Sequence, residues 1–116
     1  MTHPFRVGPL PEEALAASTR FHADVLPKVL DDLTRLQQGG LILVFAPADH
    51  THRDWRLAAV RQLAREHAPI RVNALASDDD TAITAAMDYL AKAEGVTGQY
   101  LPLDGTGAGE VLYLSR

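Results

Sequence analysis

Cysteine is absent from the 116 residues, which excludes disulfides, thiolate nucleophiles and zinc sites built on sulfur. Nor is there a basic excess: 11 Lys and Arg against 15 Asp and Glu leave a net charge of −4, the wrong sign for tracking a phosphate backbone. Nucleic-acid binding is therefore not expected. No apolar run is long enough to cross a bilayer, and Met1 to Gly8, with His3, Pro4 and Arg6, lack the apolar centre of a signal peptide. The expected address is cytoplasmic, with no membrane contact. What remains is ordinary for a globular chain, at 47% hydrophobic and 22% charged. This length predicts one domain, 1–116, burying about two-thirds of the surface its unfolded form exposes.

Pro9, Pro11, Glu12 and Glu13 read as the opening of a helix, since proline is tolerated and acids are favoured in a first turn. Phe21, Val25, Val29 and Leu33 follow at four-residue spacing on one face, and Pro27 inside the stretch predicts a kink. Gly39 and Gly40 end it. The unbroken run Leu41 to Phe45 suits a strand buried on both faces of a parallel sheet. A loop from Ala46 to Arg53 leads to a helix over about Asp54 to His67, with Trp55, Ala59 and Leu63 on one stripe beside Val60 and Ala64, and Pro69 closing it. Ile70 to Ala76 reads as a second strand. Ser77 and Asp78 to Asp80 read as a capped helix start, with Ile83, Met87, Leu90 and Ala91 as the buried stripe of a helix ending near Gly95. Tyr100 to Leu103 is a third strand, and Val111 to Leu114, after Gly105 to Gly109, an additional C-terminal one. The order αβαβαβ implies right-handed βαβ units, hence an α/β fold with a parallel sheet.

Candidate chemistry is sparse. His50 and His52, two apart among Asp49 and Asp54, have the residue types of a metal site but no third histidine nearby, so a solvated polar loop without metal is expected. Helix capping explains Asp78 to Asp80 without a cation. The glycines from Gly105 to Gly109 look like a phosphate loop, yet Glu110 to Tyr113 after them is strand-like and provides no helix dipole. Trp55 and Tyr100 suit either an interface or a half-buried core role.

Two stretches carry a family likeness: Ile70-Arg71-Val72-Asn73-Ala74-Leu75-Ala76, and Gly95-Val96-Thr97-Gly98-Gln99-Tyr100-Leu101-Pro102-Leu103-Asp104-Gly105. They resemble the last two strands of the short-chain dehydrogenase/reductase family, whose members carry IRVNAVAPG and then TGQVLPVDGG. Val25-Leu26-Pro27-Lys28-Val29, Gly39-Gly40-Leu41-Ile42-Leu43-Val44 and Leu57 to Glu66 are similar to the family's proline-bearing helix, next strand and following helix. The likeness spans about Pro11 to Gly105 and implies the C-terminal half of a Rossmann domain, a single truncated unit with strands in the order Leu41, Ile70, Tyr100.

The same resemblance implies what is missing. Family enzymes hold NAD or NADP on a strand, a glycine turn and a helix N-terminus, and nothing before Leu41 supplies that arrangement. Their proton donor is a tyrosine acidified by a lysine four residues later, with a serine orienting the carbonyl. Alignment through Leu63 and Ala64 puts Asp49 at the tyrosine position and Arg53 at the lysine position. Ala46 and Pro47 stand where a serine is sought, and Ser77-Asp78 replace the Pro-Gly near the cofactor. An aspartate ionised at neutral pH cannot donate the proton. No catalytic, cofactor-binding or metal residue is assigned on this reading. The implied role is non-catalytic, through association: a homo-oligomer formed by Phe21, Val25, Val29, Leu33, Trp55, Ala59 and Leu63, or pairing with another short-chain dehydrogenase/reductase-like chain. The free edge expected on Leu41 to Phe45 supports this. An NAD(P)-dependent oxidoreductase-like subunit completed by another chain is the alternative.

Overall fold

Leu41 to Phe45 are buried on both faces because strands flank the run on both sides and helices cover it above and below. The structure, a computed structural model, describes residues 2–103. Within them β1 (Thr2–Arg6), β2 (Gly40–Phe45), β3 (Arg71–Ala76) and β4 (Tyr100–Pro102) form one sheet in the order β1-β2-β3-β4, parallel throughout. The α/β class and the order of the three expected strands hold.

β1 was not expected, and it corrects the free edge assigned to Leu41–Phe45, which pairs with Thr2 to Arg6 from Gly40 to Val44. Its sequence hid it, because Thr2-His3-Pro4-Phe5-Arg6 is short, mostly polar and interrupted by proline. Backbone polar groups of a strand alternate sides. Val7 N–H donates to Val44 O at 2.9 Å, so Phe5 and His3 also turn toward β2, and Pro4 turns outward. The missing donor falls on the edge where proline is tolerated.

The first helical stretch is α1 (Ala14–Arg20) and α2 (Leu26–Arg35), joined by a π turn over Phe21–Val25. Leu26 N–H reaches back to Phe21 O, five residues, and that looser turn takes up the bend, leaving Pro27 in the first turn of α2 where its lack of a donor costs little. α3 is Arg53–Glu66 and α4 is Asp80–Lys92. The π turn, α2 and α3 pack on one face of the sheet against Leu41, Leu43, Phe45 and Val72, while α4 covers Ile42, Val44 and Leu75 on the other.

This layering corrects the expected interface. Phe21 and Val29 are wholly buried, Leu33, Ala59 and Leu63 are at most 8% exposed, and Val25 and Trp55 are half-buried against the same cluster. Five of the seven are spent inside the chain and the other two pack partly against them, because both helices lie on one face and β1 widens the sheet beneath them. In α4 the buried stripe is Ala82, Ile83, Ala86 and Leu90, with Met87 half-buried and Ala91 exposed, a shift of one position from the expected stripe. Val111 to Leu114 and the glycines 105–109 lie outside the described residues.

The family-like segments act as clasps between strands. Asn73, 2% exposed, donates from Nδ2 to Val96 O at 3.1 Å and accepts Gln99 N–H on Oδ1 at 3.0 Å. Thr97 Oγ1 accepts Val72 N–H at 3.0 Å, and Gly98 N–H donates to Val72 O at 2.7 Å with φ +75°, a conformation in which glycine is relaxed. Arg71 Nη1 donates to the carbonyls of Leu90 and Ala93, closing the C-terminal end of α4.

Candidate functional site

In open α/β sheets ligands settle outside the carboxyl ends of the strands. Here that position holds a crevice of about 230 Å³. Gly8, Leu10 and Pro11 come to it from the segment after β1, Phe45 and Ala46 to Asp49 from the end of β2, and His52 and Arg56 from the start of α3.

The loop after β2 is ordered by its own side chains. Asp49 caps a 3₁₀ turn over His50–His52, taking the Thr51 N–H at 2.9 Å and the Thr51 hydroxyl on the same oxygen. The hydroxyl bond first and the amide bond second hold its carboxyl below the usual aspartate range. With its ionised form favoured on folding, the cap is complete above the ordinary carboxylate range and is lost as pH falls through the lowered value. Asp49 is an acceptor here. Arg53, at the expected lysine position, is exposed at the first turn of α3.

His52 corrects the expectation of a solvated loop, being 4% exposed while His50 stays in solvent. Trp55 Nε1, which can only donate, points at His52 Nδ1 at 3.2 Å, so Nδ1 accepts and the proton sits on Nε2, which donates to Glu12 O at 2.8 Å. One imidazole thus ties α3 to the segment leading into α1, and both nitrogens are occupied. His52→Ala should cost about 1–3 kcal/mol by leaving the indole N–H and the Glu12 carbonyl without partners, and His50→Ala under about 0.5 kcal/mol. Urea denaturation of the two variants separates these outcomes; equal small losses would show that His52 is not a tie.

Arg56 is the residue at this site that sequence reasoning missed. It is 3% exposed, with Nη1 donating to Ala46 O at 2.9 Å and Tyr100 Oη at 3.0 Å, and its guanidinium carbon 4.4 Å from the centre of the Phe45 ring. Nε is buried without a hydrogen-bond partner, and no carboxylate among the described residues pairs with it. A signal was present: Arg56 stands at i to Val60, Leu63 and Ala64 at i+4, i+7 and i+8, which puts a charged residue on the buried stripe of α3. Trp55 and Tyr100, the two aromatics with alternative roles, both flank this guanidinium.

The remaining sequence candidates are structural. Asp79 caps α4 through the amides of Thr81 and Ala82, and Ser77 Oγ takes Asp79 N–H. Among the described residues no group of three or more histidines and carboxylates is placed to hold a metal.

A parallel sheet covered by helices on both faces, with a crevice at its carboxyl ends, defines a Rossmann-like unit. The chain belongs to the SDR-like family: the model described as short chain dehydrogenase-like protein matches residues 5–103, from inside β1 to just past β4. No curated protein and no solved structure matches the chain. No helix of the described residues is long and apolar enough to cross a membrane.

Proposed function

We propose that the chain is a non-catalytic member of this family that acts through association with another polypeptide, a second copy first of all. The observation that carries the non-catalytic half is Asp49. At the position of the family's proton donor it is an ionised helix-turn cap bound to Thr51, and the crevice it lines presents His52 with both nitrogens engaged. Neither group is free to exchange a proton with a carbonyl substrate.

Support for association moves from the helices to the sheet. β1 pairs only with β2 among the described residues, so the carbonyls of Thr2, Pro4 and Arg6 and the amides of Thr2 and Arg6 face away from the sheet. Such an edge is a template for another strand. The same edge favours the second reading, an NAD(P)-dependent subunit completed by a chain that carries the glycine turn.

Sedimentation velocity of the full chain with NADH, followed at the protein and nicotinamide bands, tests both. The expected result is a concentration-dependent dimer boundary that carries no nucleotide. Nucleotide moving with the chain alone would sink the non-catalytic reading, and a monomer at every concentration would sink self-association.

A further inference from the structure

We propose that the crevice at the carboxyl ends of β1 and β2 binds a small organic monocarboxylate on the guanidinium of Arg56. The proposal stands apart from self-association and concerns the single chain.

A buried arginine keeps its charge, and removing it from water is costly unless an anion or a full set of acceptors replaces the hydration. Arg56 has acceptors on only one side. Nη1 is committed to Ala46 O and Tyr100 Oη, and the guanidinium carbon lies over the Phe45 ring. Nε is orphaned, and Nη2 enters no hydrogen bond among the described residues. Those two nitrogens form one edge of the planar group, and their N–H bonds run parallel at the spacing of the two oxygens of a carboxylate. The unpaired edge is thus a bidentate fork, with Nε itself covered.

The setting fits that anion in charge and size. Arg56 sits in the first turn of α3, where the helix dipole is positive and where His52, the cap residue, makes no side-chain bond to the helix amides. Leu10, Phe45, Ala46 and Pro47 supply apolar wall. About 230 Å³ admits an acid with a short carbon chain and is too small for a dinucleotide. Two acids also line the crevice. Asp49 is held by Thr51, and Glu12 is exposed with its main-chain carbonyl turned to His52. Their charge disfavours a second negative charge on the ligand, which selects a monocarboxylate over phosphate.

The test uses the full ¹⁵N-labelled chain titrated with butyrate, with pyruvate and, for comparison, with inorganic phosphate. The expected result is a saturable shift of the Arg56 Nε–H resonance by the two carboxylates, and a melting temperature raised by about 10 °C at a hundredfold excess over Kd. Arg56→Lys keeps the charge and loses the fork, so affinity should fall at least about tenfold. Should that variant not fold, Ala48→Trp, at an exposed position on the crevice rim, closes the site with the core untouched and should abolish the shift. No saturable shift with either carboxylate, undiminished affinity in Arg56→Lys, or an intact response in Ala48→Trp each overturns the proposal. Tighter binding of phosphate than of butyrate overturns the assignment to monocarboxylates.

Discussion

Val29→Asp is expected to leave the chain unfolded at every protein concentration, with a loss of about 5 kcal/mol or more. Val29 has no exposed surface, and the buried cluster that holds it is made of apolar side chains, none of which can pair with a carboxylate. Total stability for a domain of this length is about 6–17 kcal/mol, so one such substitution removes a large share of it. The concentration dependence is the informative part. Were Val29 at an interface between copies, the variant would be a folded monomer; from the core of one chain it removes the fold itself. Circular dichroism and urea denaturation at low and high protein concentration distinguish the two, and a folded monomer that melts close to the native temperature would return Val29 to the surface.

Asn73→Ala is expected to cost about 3 kcal/mol. The side chain is 98% covered, and truncation leaves Val96 O and Gln99 N–H without partners between β3 and the segment that enters β4. Only three residues pair β4 to β3, from Ala74–Tyr100 to Ala76–Pro102, so the asparagine holds a strand that has few ladder bonds of its own. Hydrogen exchange should quicken first at Gln99 and then along β4, ahead of β2. A loss under about 1 kcal/mol with unchanged exchange at Gln99 would show that the clasp is dispensable.

Legibility followed the physical origin of each signal. β2 was readable because a strand buried on both faces must be apolar without interruption, and Leu41 to Phe45 has no other use. Asn73, Thr97 and Gly98 were readable as a family pattern, and their geometry shows that the pattern records how β3 and β4 are tied together. β1 was illegible because an edge strand covered on one face needs little apolar content, and Pro4 reads as a break until the outward direction of its nitrogen is known. The interface was misassigned for a related reason: a helix stripe shows that a face is covered, not what covers it. Asp49 at the crevice and Arg53 outside it were located by alignment alone, whereas Arg56 and His52 needed the fold. Histidine is at home in solvent or core, and its tie to Trp55 and Glu12 spans 40 residues of sequence on one side.

The π turn over Phe21–Val25 sets the phase of everything that follows it. A π turn is an α-helical turn with one residue added, and each residue advances a helix by about 100°. With that residue set aside, Phe21 and Val29 stand about two turns apart on one face, and both reach the same cluster. Deleting exposed Ala23 or Asp24 would straighten 14–35 into one α-helix with Phe21 and Val29 still on one face, but would bring the Pro27 ring against the preceding turn. The added residue serves the proline: with it Pro27 opens a helix, and without it Pro27 interrupts one.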